Sequence, residues 1–277
     1  MTISEALKRA ELEIDRLDAQ YLLANLLNVG RASLIAHPER VLDESTQRRF
    51  KAQVSERADG MPVAYILGTR EFYGRDFRVS PATLIPRPET EFLVEQALAR
   101  LSKQNRSANP TSTRVLDMGT GTGAIAISIA LGGEFSVTAT DVSVDALEIA
   151  RNNAVALGAS VEFTKSNWFA ELADRQFDLI VSNPPYVAGN DAHLTQDDLR
   201  FEPPNALTDG SADGLASIRT IVTGAPRHLA PGGWLLFEHG YDQAAAAREL
   251  LLEAGFVDLI CIRDLAGIER VSGGQIR

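Results

Sequence analysis

The spacing of hydrophobic and polar positions changes near residue 70, which divides the chain into two regions. In the first region apolar residues recur three and four positions apart, as expected for amphipathic helices. The first helix follows Thr2-Ile3-Ser4-Glu5, whose spacing is that of a capping box. Two more helices are predicted over residues 18–27 and 44–58, because residues that commonly end helices follow each of them. Residues 1–70 are therefore predicted to form a small helical domain.

A connecting region, residues 71–113, follows the helical domain. Residues 71–79 alternate between apolar and polar around Gly74-Arg75-Asp76, which predicts a β-hairpin. A helix is predicted over residues 92–101, since prolines and acidic residues stand just before it. Residues 102–113 are polar and rich in serine and asparagine, so we interpret them as a surface connection.

From residue 114 onward, short apolar runs alternate with helical segments, which is typical of a doubly wound parallel sheet. Helices are predicted over residues 124–131, 144–157 and 243–254. Residues 114–277 are thus predicted to form one α/β domain with a Rossmann-like sheet of seven strands. The predicted strands cover residues 114–118, 136–140, 161–165, 177–182, 233–238, 257–263 and 268–272.

The composition limits the class of protein. With 45% hydrophobic and 23% charged residues, the 277-residue chain resembles ordinary globular proteins and is long enough for two domains. No apolar stretch approaches the roughly 18 residues of a transmembrane helix, and no signal-peptide core is seen, so we expect a cytoplasmic protein without a membrane partner. The single cysteine, Cys261, fits a reducing compartment. Four scattered histidines give no reason to expect a metal site.

The charge is unevenly distributed along the chain. Residues 1–70 contain equal numbers of basic and acidic residues, so the net charge of −10 comes from the remainder. No basic stripe of the kind that binds nucleic-acid phosphates is visible in the sequence. We therefore expect a protein partner or a small substrate and no direct binding of nucleic acid.

A glycine-rich loop after the first predicted strand indicates a nucleotide-like ligand. The loop reads Gly119-Thr120-Gly121-Thr122-Gly123, and glycines let the backbone turn sharply and approach a ligand beside a helix N-terminus. Asp141 follows the second strand, where an acid can accept hydrogen bonds from ribose hydroxyls. Trp168 follows the third strand and could cover an adenine. These features alone fit NAD and S-adenosylmethionine about equally, although the glycine spacing is not G-x-G-x-x-G.

Asn183-Pro184-Pro185-Tyr186 follows the fourth predicted strand and favours methyl transfer. The two prolines stop the strand and stiffen the turn. The oxygen of Asn183 and the carbonyl of Pro184 can together accept both hydrogens of a planar NH2 group. Held in this way, the nitrogen is oriented toward an electrophile, and positive charge that develops on it is stabilised. Pro185 and Tyr186 are expected to contact the substrate, and Tyr186 could also pack on the donor.

Several longer motifs resemble the PrmC (HemK) family. The most specific is Leu84-Ile85-Pro86-Arg87-Pro88-Glu89-Thr90-Glu91, which accompanies the glycine-rich loop and the Asn-Pro-Pro-Tyr turn. Glu71-Phe72-Tyr73-Gly74 departs mildly from the family, which usually has Phe-Trp at the aromatic pair. The resemblance covers roughly residues 60–270, and the helical domain fits by pattern only. The other matching segments are Ala64-Tyr65-Ile66-Leu67-Gly68, Phe201-Glu202-Pro203, Ala206-Leu207 and Leu236-Phe237-Glu238-His239-Gly240.

The resemblance implies an activity, a cofactor and a partner. It implies transfer of a methyl group from S-adenosylmethionine, leaving S-adenosylhomocysteine, to the side-chain nitrogen N5 of a glutamine. That glutamine belongs to the Gly-Gly-Gln motif of class-1 peptide chain release factors, which the helical domain of residues 1–70 would bind. Arg87, Glu89 and Glu91 are candidates for contact with the factor, although the two acids also fit a helix start.

Three other functions share part of the pattern. Enzymes that methylate N6 of adenine or N2 of guanine use similar turns, but they generally need a basic surface or a nucleic-acid-recognition domain. A catalytically inactive protein could bind the donor and a translation factor, but the donor loop, Asp141 and Asn183 all retain the chemistry. A dinucleotide-dependent oxidoreductase is disfavoured by the glycine spacing.

Gly273-Gly274-Gln275 repeats the tripeptide that the family methylates. Coincidence is the preferred interpretation, because glycine is a common residue. The alternative hypothesis is a flexible C-terminus that docks into a neighbouring active site.

Overall fold

The computed structural model describes residues 1–104 and 113–277. These residues fall into two compact units. The first unit contains Met1–Arg70 and Thr195–Phe201, and the second contains Glu71–Leu194 and Glu202–Arg277. The segment Thr195–Phe201 thus belongs to the first unit although it comes late in the sequence. No helix within the described ranges is both long enough and apolar enough to cross a bilayer.

The first unit is a cluster of helices around a small apolar core. Leu22, Leu23 and Phe50 are buried at its centre. Thr2 and Glu5 form the predicted capping box, in which each side chain accepts a hydrogen bond from the other residue's backbone N–H. The helices are α1 (Ile3–Ala10), α2 (Arg16–Leu27), α3 (Arg31–Ala36), α4 (Glu44–Ala58) and α5 (Val63–Leu67).

Local capping and length explain where these helices differ from the predicted ones. Helix α2 begins two residues before the predicted start, because Asp15 caps it by accepting a hydrogen bond from the Leu17 N–H at 2.7 Å. Helices α3 and α5 contain only six and five residues, too few to show a period, and the sequence does not predict them.

The predicted hairpin is formed by β1 (Thr69–Phe72) and β2 (Arg75–Arg78), and all but its first two residues belong to the second unit. A single 3-10 turn leads into α6 (Glu91–Gln104), which extends beyond the predicted residues 92–101. Residues 102–104 of the predicted surface connection therefore belong to α6. Residues 105–112 of that connection lie outside the described residues.

A mixed seven-stranded sheet forms the centre of the second unit, which confirms the predicted α/β class. Its order is β5-β4-β3-β6-β7-β9-β8, with parallel neighbours except on both sides of β9. The strands are β3 (Arg114–Met118), β4 (Ser136–Asp141), β5 (Val161–Lys165), β6 (Phe177–Ser182), β7 (Leu229–Glu238), β8 (Val257–Arg263) and β9 (Glu269–Gln275). The remaining helices are α7 (Ala124–Leu131), α8 (Val144–Leu157), α9 (Pro204–Leu207), α10 (Ala216–His228) and α11 (Ala244–Glu253).

Helices cover both faces of this sheet. Val115 and Leu179 belong to a core that includes residues of α6 and α7, whereas Leu116 and Ile180 belong to a core that includes residues of α10 and α11. Successive side chains of a strand point to opposite faces, so the two cores lie on the two sides. Burial on both sides explains why these strands are continuous apolar runs in the sequence.

The C-terminal Gly-Gly-Gln is part of a paired strand and not of a flexible tail. These three residues lie inside β9, which pairs with β7 on one side and β8 on the other. The idea that the tripeptide docks into a neighbouring active site is therefore wrong. The strand continues past its predicted end at Ser272 because neighbours on both sides compensate for the weak strand propensity of glycine. A Cβ at Gly273 would lie 2.3 Å from the backbone oxygen of Leu235, so this close approach requires glycine.

Candidate active site

A cavity of about 360 Å³ lies at the carboxyl ends of the central parallel strands. Parallel sheets bind ligands at this edge where the strand order reverses, and here it reverses between β3 and β6. The volume is within the range of small-molecule sites. Eight of the predicted site residues line the cavity, namely Gly119, Thr120, Gly121, Thr122, Asp141, Trp168, Asn183 and Pro185.

Gly123, Pro184 and Tyr186 lie beside the cavity wall rather than on it. Gly123 is closely packed, since an added Cβ would stand 2.8 Å from Ile127 Cδ1 and 3.2 Å from Ala150 Cβ. The missing side chain at this position lets α7 and α8 approach the glycine-rich loop. Pro184 is buried and Tyr186 is half-buried.

One carboxylate fixes the glycine-rich loop to the end of β4. Gly119 and Gly121 have φ angles of 70° and 54°, which favour glycine. The Gly121 N–H donates to Asp141 Oδ2 at 2.9 Å, and the Ser143 N–H donates to Asp141 Oδ1 at 2.9 Å. Burial raises the pKa of Asp141, and these backbone hydrogen bonds oppose that rise. Asp141 is thus a lining carboxylate that also shapes the loop.

Asp117, near the carboxyl end of β3, is a second carboxyl group beneath the loop. It is fully buried, and its Oδ2 accepts hydrogen bonds from Thr120 Oγ1 at 2.6 Å and the Ala126 N–H at 3.2 Å. Its Oδ1 has no hydrogen-bond partner within residues 1–104 and 113–277. Burial raises the pKa of Asp117 to about 7, and the charge of Asp141 adds to the rise. A half-satisfied buried carboxyl group with a raised pKa is typical of functional sites.

Trp168 and the turn at Asn183 flank the space that Gly119 leaves free. An added Cβ at Gly119 would stand 4.0 Å from the Asn183 backbone oxygen and 4.0 Å from the Trp168 ring. Trp168 has a φ of 51°, which is uncommon for a residue other than glycine, and its carbonyl accepts a hydrogen bond from Ser166 Oγ at 2.8 Å. The three residues form a cradle that any side chain at position 119 would fill.

A chain of hydrogen bonds holds Asn183 from behind. Its Nδ2 donates to Thr90 Oγ1 at 3.1 Å, and Thr90 Oγ1 donates to Glu238 Oε2 at 2.6 Å. The hydroxyl of Tyr186 donates to Glu238 Oε1 at 3.0 Å. Burial raises the pKa of Glu238, and the hydrogen bonds from Thr90 and Tyr186 oppose that rise. Burial and the neighbouring Glu238 raise the pKa of Tyr186, so its hydroxyl remains a donor.

Two of the three residues expected to contact a partner, Arg87 and Glu91, have intramolecular partners. Arg87 forms an ion pair with Glu202, a buried side chain that also accepts a hydrogen bond from the Ile85 N–H at 2.9 Å. Glu91 accepts a hydrogen bond from the Tyr73 N–H at 2.9 Å. Both Arg87 and Glu91 therefore shape the segments beside the cavity, and contact with another protein stays a prediction.

The cavity has the features that S-adenosylmethionine requires. The Gly119 cradle leaves room for a ligand close to the backbone, Asp141 offers a carboxylate to ribose hydroxyls, and Trp168 offers an aromatic face. Within the described ranges, no group of three or more histidine, cysteine, aspartate or glutamate side chains could hold a metal ion.

Two family models match the chain. The model of the PrmC N-terminal domain matches residues 2–68, and the model of the methyltransferase small domain matches residues 94–201. The release factor glutamine methyltransferase of Xylella fastidiosa (strain Temecula1) is 50% identical, over 97% of this chain and 96% of its own length. The release factor glutamine methyltransferase of Neisseria gonorrhoeae is 48% identical, over 99% of this chain and 98% of its own length.

Solved structures share the fold at low sequence identity. A methyltransferase from Pyrococcus furiosus has a TM-score of 0.54 and 20% identity, covering 84% of this chain and 98% of that one. A T. thermophilus 16S rRNA N2 methyltransferase, in complex with AdoMet and guanosine, has a TM-score of 0.55 and 20% identity, covering 76% of this chain and 50% of that one. These likenesses support the methyltransferase fold.

Proposed function

Because this chain belongs to the family of release factor glutamine methyltransferases, we propose that the cavity at the strand ends is its active site. The chain is an S-adenosylmethionine-dependent enzyme that methylates the side-chain nitrogen N5 of glutamine. The family resemblance found in the sequence motifs is confirmed. We propose that the substrate glutamine lies in the Gly-Gly-Gln motif of class-1 peptide chain release factors.

The orientation of the Asn183 side chain carries this proposal. The side-chain nitrogen of Asn183 is directed at Thr90, so the side-chain oxygen points away from Thr90. Asn183 is itself one of the residues that line the cavity. The Asn183 oxygen and the Pro184 carbonyl are two acceptors, and they match the two N–H donors of a glutamine side chain. Two acceptors select a primary amide over a carboxylate, which has no hydrogen to donate.

We propose that some residues of the cavity hold the methyl donor and that others contact the substrate. Bound S-adenosylmethionine supplies an electrophilic methyl group on a positively charged sulfur. We propose that the loop from Gly119 to Gly123, Asp141 and Trp168 hold this cofactor, with the backbone of Asn183 beside it. Pro185, which lines the cavity, would contact the substrate, with Tyr186 beside it.

The amide nitrogen of glutamine is a weak nucleophile, because its lone pair is delocalised into the carbonyl. Asn183 and Pro184 would hold this nitrogen by its two N–H bonds and so orient it toward the methyl group. Their oxygens also stabilise the positive charge that develops on the nitrogen, until one proton leaves to solvent. Orientation and charge stabilisation thus replace a general base in this proposal.

Class-1 release factors are the proposed protein partners, and the helical domain of residues 1–70 is the proposed binding region. Leu17 and Tyr21 are four positions apart on α2, so they share a face, and they are 43% and 44% exposed. Exposed apolar side chains on one face are common in protein interfaces. We propose a cytoplasmic location because release factors act on ribosomes. Nucleic acid is not a proposed substrate, since the net charge is −10.

The test is methyl transfer from labelled S-adenosylmethionine to a purified release factor. The Gln→Ala variant of the factor's Gly-Gly-Gln motif and a panel of DNA and RNA serve as controls. We expect label on the intact factor alone. Asn183→Ala is expected to lower kcat by about 100-fold or more, with little change in donor binding. Label on nucleic acid, or near wild-type activity of Asn183→Ala, would contradict the proposal.

A further inference from the structure

The hydrogen-bond chain behind Asn183 links three separate elements of the second unit. Asn183 follows β6, Glu238 ends β7, and Thr90 ends the 3-10 turn that leads into α6. Thr90 is only 4% exposed and Glu238 only 1% exposed. Because water has little access to these groups, the donors and acceptors must satisfy one another. The direction of donation along such a chain of hydrogen bonds is set by the group that can only accept them.

Glu238 sets that direction. A carboxylate accepts hydrogen bonds and donates none, and both of its oxygens have a hydroxyl partner, Thr90 at 2.6 Å and Tyr186 at 3.0 Å. The single hydrogen of the Thr90 hydroxyl is therefore used toward Glu238. Its lone pairs remain for Asn183, and only the NH2 side of the Asn183 amide can donate to them, at 3.1 Å.

We propose that Thr90 and Glu238 are positioning residues for methyl transfer, because together they hold the Asn183 amide with its oxygen toward the substrate nitrogen. The inference rests on the proposed function of Asn183. An asparagine side chain has nearly the same shape after its amide is rotated by half a turn, so packing alone does not select one orientation. The hydrogen bond to Thr90 makes that selection.

The opposite orientation would present an NH2 group to the NH2 group of the glutamine. Two donors would then face each other, and the substrate nitrogen would lose one of its two acceptors. Binding of the release factor depends on many other contacts, so this change affects the chemical step more than affinity. The structure thus predicts a loss in kcat with little change in the KM for S-adenosylmethionine or in the KM for the release factor.

The backbone that follows Asn183 is held by hydrogen bonds that do not involve Thr90. The Nε2 of Gln243 donates to the backbone oxygens of Tyr186 and Asp213, each at 3.0 Å. Its Oε1 accepts a hydrogen bond from the Gly240 N–H at 2.8 Å. These bonds fix the turn after Asn183 to the segment after β7. A substitution at Thr90 can therefore change the amide orientation without moving the backbone that carries it.

Three variants test the proposal in the intact enzyme with the release factor as substrate. Thr90→Val keeps the shape but removes the acceptor for Asn183, and we expect kcat to fall about 10- to 100-fold with both KM values within about 3-fold. Thr90→Ser keeps the hydroxyl, so its kcat should stay within about 3-fold of wild type. Glu238→Gln puts an NH2 group where one hydroxyl needs an acceptor, and a loss of kcat similar to that of Thr90→Val is expected.

Thr138→Val is the matched control. Thr138 is a buried threonine of the same sheet, 1% exposed, whose hydroxyl bonds Glu162 and Arg175 away from the cavity. Its replacement should leave kcat unchanged. Melting temperatures of all variants show whether a loss of activity follows from loss of folding. Wild-type activity in the same assay tests the proposed function separately.

The proposal is overturned if Thr90→Val keeps kcat within about 3-fold of wild type, or if Thr90→Ser is as impaired as Thr90→Val. It is also overturned if Thr90→Val raises a KM and leaves kcat intact. A folded Thr90→Val with reduced kcat, together with rescue by serine, supports it.

Discussion

Three carboxyl groups close to the candidate active site, Asp117, Asp141 and Glu238, are fully or partly buried, and burial raises the pKa of each. The pKa of Asp117, about 7, stands well above the ordinary value of about 3.9. Between these two pH values the folded protein binds a proton that the unfolded chain has released. Stability from this group is therefore fully present below about pH 4 and is lost as the pH rises through about 7.

Asp117→Asn should weaken this pH dependence, because an amide does not titrate. Between pH 5 and pH 8, we expect the melting temperature of the variant to fall less than that of the wild type. Thermal unfolding without added cofactor measures the difference. Asp174→Asn, at an exposed position, is the control and should follow the wild-type curve. Equal slopes for Asp117→Asn and the wild type would contradict the raised pKa of Asp117.

The sequence predicts individual residues of the site better than the contacts between them. The glycine-rich loop and the Asn-Pro-Pro-Tyr turn are local patterns, so the chemistry they favour is visible in a few consecutive letters. Thr90 and Glu238 each belong to a motif that the sequence analysis matched, but nothing in the sequence pairs two residues 148 positions apart. The pairing of β6 with β7 places Glu238 beside the turn at Asn183. The turn before α6 adds Thr90, which hydrogen-bonds to both.

At the scale of elements, the sequence predicts the strands of the parallel sheet well. It misses elements whose formation depends on contacts with neighbouring parts of the fold. The sequence predicts the bounds of strands β3 to β6 nearly to the residue, and β3, β4 and β6 are largely buried. Helix α10 is absent from the predicted elements because it contains Gly224 and Pro226, both unfavourable inside a helix. Strand β9 contains Gly273 and Gly274, and its tertiary neighbours override their propensity.

Gly273→Ala is expected to destabilise the protein by about 1–3 kcal/mol, as overpacked cores do. The new Cβ would lie 2.3 Å from the Leu235 oxygen and 2.6 Å from Leu236 Cδ2, so strands β7 and β9 would have to separate. Denaturant unfolding measures the change.

Gly30→Ala is the control for this substitution. It lies at an open position, with no atom of another residue near the added Cβ and with a φ of −72°. Its effect should be a few tenths of a kcal/mol to about 1 kcal/mol, since glycine caps α3 there. Equal stability of Gly273→Ala and the wild type would contradict the close approach of the two strands.

For the molecule as a whole, the two compact units suggest a division between recognition and chemistry. Every residue that lines the cavity belongs to the second unit. The first unit presents apolar side chains on α2 instead. We therefore expect changes on α2 to affect recognition of an intact release factor and to leave the methylation of a short peptide unaffected.

The double variant Leu17→Ser, Tyr21→Ser should raise the KM for an intact release factor by about 5- to 10-fold, which corresponds to about 1 kcal/mol of binding. The KM for S-adenosylmethionine and the rate on a short Gly-Gly-Gln peptide should not change. Steady-state kinetics with both substrates measure this. Leu252→Ser, at an exposed leucine of the second unit, is the control. Loss of activity on the peptide as well would argue against a recognition role.

The position of β9 between β7 and β8 has a consequence for how the protein is made. Both neighbours precede β9 in the sequence, so the ribosome extrudes them first. Until residues 269–275 emerge, β7 has an open edge and β8 has no strand to pair with. Unpaired edges favour aggregation of nascent chains. We therefore expect a chain interrupted before Glu269 to aggregate more readily than the full chain, because the sheet is complete only once β9 is inserted.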